Sequence, residues 1–403
     1  MKSSFLYGSL VLMLLVGCHS PQQGYQVTNS SDLPLADKAV VLTYEEVNNH
    51  LPGEIGESHI LVVDQKGEEL PSQCDDLDGD GQWDELAFLV DLDAQEQKTV
   101  YFDAVPASEI PSFSKRTNVR FGYKEEPFRE VEEAQRLETT QSEVISEVFQ
   151  MEGPAWENDK VGFRNYYDAR NGMDIFGKQT TGMALDSAGI RGQNYHELDD
   201  WGMDILKVGN SLGAGAIGIR FDGKVFRVGE CEKGTYRFIT EGPVRAILEL
   251  CYHGIVVNGR DYDITHRISI YAGDHFYRSQ VFVEGLKGDE DLVTGIVNKE
   301  QKKAFEMKSH GQKIVASYGN QGMMGEKLGM ALLVPESLFE ATWRSPDEGD
   351  GIVETHMVAL SLQSGKSAEY AFFSGWEYQD EGFRSKNYFE QQLTRASVKL
   401  AEK

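Results

Sequence analysis

Several stretches of this chain alternate apolar and polar residues at every second position. From Val244 onward, one face collects Val244, Ala246, Leu248, Leu250 and Tyr252. Across 264–271, His266, Ile268 and Ile270 oppose Thr265, Arg267, Ser269 and Tyr271, and 276–284 repeats the pattern. A period of two places alternate side chains on opposite faces of an extended strand. Asn258-Gly259 and Ala272-Gly273-Asp274 separate these runs and mark turns. Asn-Gly between two alternating runs predicts a two-residue hairpin of the primed type. Shorter strands are predicted at 39–43, 60–63 and 99–102, with a turn at 64–67. The stretch 128–150 is rich in Glu and Gln and is expected to be a helical insertion or crossover. So many strands imply a mainly β protein: an antiparallel β-sandwich with few helices. Residues 25–403 are expected to form this domain, with an amino-terminal β subdomain over 25–125 and the weakest junction near 105–150.

The amino terminus changes the picture of where the chain works. Met1-Lys2 precedes an apolar run over 5–16, followed by Gly17 and Cys18. A positive start, a short apolar segment and small residues describe a secretory signal, and the run is short for a membrane span. Leu15-Val16-Gly17-Cys18 resembles the lipobox of bacterial lipoproteins. That resemblance implies cleavage after residue 17, lipid attachment at Cys18 and a cell-envelope, outer-membrane location. Residues 18–24 then serve as a polar tether, and acyl chains hold the protein at a membrane.

The formal charge of −26, from 65 acidic and 39 basic residues, repels phosphate backbones and argues against a nucleic-acid partner. Cys74, Cys231 and Cys251 follow the signal. Three cysteines make no complete disulfide framework, no bridge is expected, and Cys251 reads as a core residue.

Residues 73–86 read QCDDLDGDGQWDEL. Asp76, Asp78 and Asp80 are spaced by two, Gly81 permits a sharp turn, and Asp84 follows, which approaches a calcium loop. Hard carboxylate oxygens suit Ca²⁺, in a structural role. The position for a bidentate Glu is Ala87, and an acidic hairpin tip with Asx turns reads equally well. No organic cofactor is expected.

The densest chemistry lies between residues 156 and 211. One block holds Trp156, Arg164, Tyr166, Tyr167, Asp168, Arg170, Asp174 and Lys178; the second holds Tyr195, His196, Asp200, Trp201, Asp204 and Lys207. These segments lack a steady apolar period, so they read as ordered loops lining a cleft. Aromatic faces stack on sugar rings, and carboxylates, Arg, Lys and Asn satisfy hydroxyls, so an oligosaccharide is the expected partner. Salt-bridged loops without a ligand are the plain alternative. His196 stands out, because histidine titrates near neutrality. His266 lies on the Ile face of its strand and reads as a core histidine; His253 and His275 sit beside turns. No HExxH motif, histidine pair, GxSxG elbow or phosphate loop occurs.

Three stretches carry a family resemblance: QCDDLDGDGQWDEL at 73–86, ENDKVGFRNYYDARNGMDIFGK at 157–178 and YHELDDWGMDILKVGN at 195–210. Through them the chain resembles the DUF4861 family, lipoproteins that accompany polysaccharide lyases in carbohydrate-utilisation clusters of Bacteroidetes. The resemblance implies a sandwich of the galactose-mutarotase-like or lyase type and an oligosaccharide dehydratase-like activity. It carries no fixed catalytic set, so roles rest on chemistry. β-Elimination on a uronate needs a base at C5, cations around the carboxylate and an acid at C4. His196 and Tyr167 are the expected base and acid, with Arg164, Lys178 and Lys207 around the carboxylate. Asp168 and Asp204 would orient these cations or bind hydroxyls. Trp156, Tyr166, Arg170, Asp174, Tyr195, Asp200 and Trp201 would contact the sugar. A non-catalytic sugar-binding lipoprotein and a sugar epimerase or mutarotase remain alternatives at this point.

Overall fold

A computed structural model describes residues 23–401, apart from 52, 54, 57, 58, 132 and 136–147. The expected signal sequence, Cys18 and most of the tether lie outside the described residues.

The strands expected in the middle of the chain form the centre of a nine-stranded antiparallel sheet. Arg245–Val257, Arg260–Tyr271 and Phe276–Glu284 are neighbours in it. Val257 pairs with Arg260, so Asn258 and Gly259 alone make the turn, with φ of 49° and 78°. Two positive φ values define the primed turn, whose twist matches the strands it joins. The inner face of the sheet contributes Leu248, Ile264, Ile268 and Tyr277 to the main core. Across that core lie two five-stranded sheets, one built on Ala214–Phe221 and Asp291–Val297 and the other on Val161–Asn165 and Met173–Lys178. Tyr277 and Tyr370 hydroxyls donate to the carbonyls of Ala214 and Gly215, tying the layers together. The architecture is thus an antiparallel β-sandwich.

Two further pieces complete it. Two three-stranded sheets within 25–105 enclose a separate core of Val40, Leu86, Phe88, Val100 and Phe102. This amino-terminal unit docks through Gln73, which bonds the backbone of Val244 and Arg245, and through Arg245 paired with Asp75 and Glu85. Thr117–Arg120 already belongs to the main body, pairing with Ala155–Asn158. The carboxy-terminal helix Lys386–Ala401 lays Phe389, Leu393 and Ala396 on the outer face of the nine-stranded sheet. Among the described residues no helix is long and apolar enough to cross a membrane.

Two expectations need correction. The described part of 128–150 is not a long helix: Glu133–Gln135 is an edge strand beside Lys233–Thr240, because its neighbour offers an open ladder of backbone groups. Residues 136–147 lie outside the described residues. Cys251 is half-buried, on the face opposite Leu250 and Tyr252, and pairs in register with Thr265 and Thr235. His266 is fully buried with Nε2 2.9 Å from Ser279 Oγ, and burial drives its pKa down to about 3. Cys74, Cys231 and Cys251 are all free thiols.

Candidate functional site

The five-stranded sheet at 117–204 has two buried faces. Trp156, Phe163, Ile175 and Met203 enter the main core. Alternation then forces Glu157, Arg164, Asp174, Phe176, Lys178 and Asp204 onto the opposite face. That face is covered by the loop 179–201, whose Leu185, Ala188, Tyr195 and Trp201 pack with Phe176 and Met151. Polar side chains under a loop must find partners, since an unmatched buried group costs about 1–3 kcal/mol. They find them in two separate clusters.

The first is sealed. Lys178 and Glu157 are both fully buried and form an ion pair. Lys178 Nζ also donates to the Asn158 carbonyl. Glu157 further accepts from the Leu185 amide at 2.8 Å, the Ala184 amide at 3.0 Å and Asn118 Nδ2 at 3.1 Å. This cluster clamps the covering loop to the sheet.

The second reaches a surface. One nitrogen of Arg164 donates to Asp174 Oδ2 at 2.7 Å, Asp204 Oδ2 at 2.8 Å and the Tyr166 hydroxyl at 2.9 Å. The other donates to the Met151 carbonyl at 2.9 Å and the Tyr195 hydroxyl at 3.1 Å. The guanidinium also faces the rings of Tyr166, Phe176 and Tyr195. Two carboxylates around one cation leave one negative charge in excess. Burial, and then the charge of Asp174, raise the Asp204 pKa well above the carboxylate range.

Over this cluster opens a cleft of about 430 Å³, lined by Lys124, Glu152, Arg191, Gln193, Asn194, Tyr195 and His196. The His196 side chain is 51% exposed, and its Nδ1 lies 3.5 Å from Asp204 Oδ2. Partial burial, and then the charge of Arg164, lower its pKa, so the imidazole is neutral at pH 7. Burial raises the Tyr195 pKa, so its phenol keeps its proton. Its oxygen accepts from Arg164, and the hydroxyl donates to no described residue. Glu152 enters on strained backbone: Met151 and Glu152 have φ of 53° and 65°, uncommon for residues with a Cβ. The Arg164 bond to the Met151 carbonyl and the Tyr167 amide bond to the Glu152 carbonyl hold this turn. Gly153 follows at φ 155°, where a Cβ would stand 2.2 Å from the Asn165 carbonyl oxygen.

The two sequence blocks therefore meet, but only in part. Arg164, Tyr166, Asp174, Tyr195, His196 and Asp204 form one cluster at the cleft. Arg164 is itself 1% exposed and spent on carboxylates, so it supports the site and does not meet a ligand carboxylate. Tyr167 is buried against Phe121 and Phe149 and does not line the cleft. Lys178 is sealed with Glu157, and Trp156 stands in the main core beside Phe163 and Tyr277. Asp168 is buried and holds Arg170, whose guanidinium lies over Tyr166 and 3.6 Å from Glu152. Trp201, at the end of the covering loop, is half-buried against Phe176, and Asp200 is exposed without lining the cleft. Lys207 is half-exposed, 3.9 Å from Glu300, away from this cleft. The sequence blocks failed here because strands buried on both faces carry no amphipathic period. Lys124, Glu152 and Arg191 went unnoticed: they come from segments flanking the blocks, and exposed Lys, Arg and Glu have no distinguishing pattern. The Glu152-Gly153-Pro154 turn signal was the one available hint.

The acidic loop joins Ser72–Asp75 to Glu85–Leu92. Asp76, Asp78 and Asp84 each bring one carboxylate oxygen within 4.8 Å of the others. Asp80 stands outside this trio, accepting from the Gln82 amide. Asp76 accepts from the Gly81 and Gly79 amides, which lower its pKa.

The sequence pattern of a family described as a domain of unknown function, DUF4861, matches residues 27–403. A protein of Formosa agariphila named Uncharacterized protein P7 is 23% identical over 335 residues, covering 78% of this chain and 76% of that protein. Among solved structures, an α-mannosidase from Enterococcus faecalis V583 superposes with a TM-score of 0.47 at 9% identity, over 91% of this chain and 45% of that one. A protein in glycosyl hydrolase family 38 from the same species gives 0.44 at 8% identity, over 93% and 47%. This chain spans about half the length of those two structures.

Proposed function

This chain belongs to the DUF4861 family, and we propose that it is a carbohydrate-active lyase or dehydratase performing β-elimination on uronate-ended oligosaccharides. The observation that carries the reading is the packing of the His196 imidazole against the Tyr195 phenol, ring centroids 4.4 Å apart, at one open cleft; burial favours the neutral imidazole and the protonated phenol. In this scheme Lys124 and Arg191 receive the uronate carboxylate and neutralise charge that develops on it. His196 takes the proton from C5, with Asp204 Oδ2, 3.5 Å from Nδ1, orienting the ring. The electrons of that C–H bond form the C4–C5 double bond, and the C4–O bond breaks. Tyr195 protonates the departing oxygen, which leaves as water or as a sugar. Tyr195 thus replaces Tyr167 as the acid, and Lys124 and Arg191 replace Arg164, Lys178 and Lys207 as the carboxylate's partners. Glu152 faces the same space and accepts a hydroxyl hydrogen bond.

The chemistry is tested by incubating the pure protein with uronate-ended oligosaccharides. Ultraviolet absorbance reports the conjugated enoate, and mass spectrometry separates loss of water from chain cleavage. Binding without any new absorbance would leave a sugar-binding protein; a changed stereocentre without an alkene would leave an epimerase. Attachment to a membrane through Cys18 belongs to the same proposal, and Cys18→Ser is expected to release the protein from the membrane fraction. The acidic loop is proposed as a structural Ca²⁺ site held by Asp76, Asp78 and Asp84.

A further inference from the structure

A second groove, of about 430 Å³, lies on the outer face of the nine-stranded sheet, apart from the cleft. The amino-terminal unit forms one wall through Lys38, Ala39 and Val41, and Leu400 of the carboxy-terminal helix closes another side. Its floor follows from strand alternation. Where the helix covers this face, the outward residues are apolar, such as Phe276 and Phe373. Beyond the helix they turn polar: Ser269, Arg278, Gln280 and Glu369. Arg278 sits at the centre, with Ser269 beside it on one strand and Ala371 on the other.

Most described arginine side chains reach a carboxylate at hydrogen-bonding distance, whereas the Arg278 side chain makes no hydrogen bond among the described residues. Its Nε is buried and has no partner. Its nearest carboxylate, Asp274, is 3.8 Å away and already bonded to Lys399 at 2.7 Å. The guanidinium lies over the Tyr271 ring, 4.3 Å from its centroid, which presets its orientation without using its donors. The side chain is 28% exposed, so its terminal nitrogens, which also lack acceptors, can meet a ligand. Lys38 adds a second cation from the wall, held almost wholly buried with Nζ donating to the Lys399 carbonyl. Arg245 lines the same groove but is taken by two carboxylates, Asp75 and Glu85. The remaining acid, Glu369, is held by Gln280 and Ser367. The far side of the groove, at Leu333 and Pro335, is apolar.

We propose that this groove is a second binding site, for a small hydroxylated acid of the sugar-acid class. The carboxylate would take the planar donor fork of Arg278 with Lys38 alongside, since guanidinium geometry matches a carboxylate bidentately. Ser269 and Gln280 offer partners to hydroxyls, and the apolar side accepts the face of a ring. The volume falls within the range of small-ligand sites. The inference rests on this groove alone and stands whether or not the cleft is catalytic.

Hydrogen–deuterium exchange on the whole protein locates binding without needing turnover. Millimolar glucuronate is expected to slow exchange in peptides covering 36–42 and 268–280, and glucose at equal concentration to leave them unchanged. Arg278→Gln is expected to weaken that protection at least about tenfold, the worth of a charged hydrogen bond. His196→Ala is expected to keep it, which separates this groove from the cleft. Should Arg278→Gln lower the melting temperature, Ser269→Leu, which fills the floor, replaces it with the same expected loss. The proposal is overturned by no slowing in those peptides, by equal slowing with glucose, by sulfate matching glucuronate, or by undiminished slowing in variants that stay folded.

Discussion

His196 Nδ1 stands 3.5 Å from Asp204 Oδ2, the same oxygen that accepts from Arg164 at 2.8 Å. One carboxylate oxygen therefore joins an exposed imidazole to a buried guanidinium. The distance is longer than a formed hydrogen bond, and such contacts tighten when a ligand closes the site. If acid–base work belongs to this imidazole, His196→Ala lowers turnover of the uronate substrate by about 100-fold or more. Because the side chain is half-exposed, the melting temperature should hardly move. Near wild-type turnover in that variant would remove His196 from the scheme.

The same geometry sets a pH dependence. A base works only when deprotonated, and burial and Arg164 favour the neutral ring of His196. The value of kcat/KM should rise with pH through a midpoint below the ordinary histidine value of about 6.5 and then level off. A midpoint above that value would point to a different base.

Arg164 and Lys178 are predicted to act on stability. Arg164→Met leaves Asp174 and Asp204 buried together, and Lys178→Met leaves Glu157 buried alone. Breaking such a pair from one side costs about 3–5 kcal/mol. Asp204→Asn is milder, because the carboxyl is already displaced toward its neutral form. Urea unfolding of the three variants should give that order, with both cation variants well below Asp204→Asn.

His266 adds an acid sensitivity far from the cleft. Its folded pKa is depressed to about 3, whereas an unfolded histidine takes a proton near 6.5. Between those values the unfolded chain binds the extra proton, so this residue's contribution is complete above about pH 6.5 and declines steadily toward pH 3. His266→Asn should flatten the fall in melting temperature between pH 7 and pH 5. An unchanged slope would show that other groups set it.

Calcium is expected to raise the melting temperature and a chelator to reverse the rise, since a ligand of the folded state stabilises it by mass action. Replacing Asp76 and Asp84 together by Asn should abolish the difference. A melting curve indifferent to calcium in the wild-type chain would leave the loop an acidic hairpin tip.

Much of the sandwich was legible beforehand. The period of two across 244–284 and the Asn258-Gly259 pair correspond to the three central strands and their turn, because both signals are local: one is pleat geometry, the other a demand for positive φ. His266 was legible for the same reason, since its face was shared with Ile268 and Ile270.

The candidate site was only half legible. Residue types marked 156–211 as chemically dense, but Lys178 and Arg164 look alike in one dimension. Both are cations on the same face of one sheet, and each has acidic company within reach. What separates them is where the loop 179–201 lands: it seals Lys178 under Ala184 and Leu185, and over Arg164 it ends at Tyr195 and His196 with a cleft beyond. The strands were thus written into the alternation of the chain. Which polar residues became internal ion pairs, and which met solvent, depended on the packing of a segment tens of residues away, through contacts that no local period encodes.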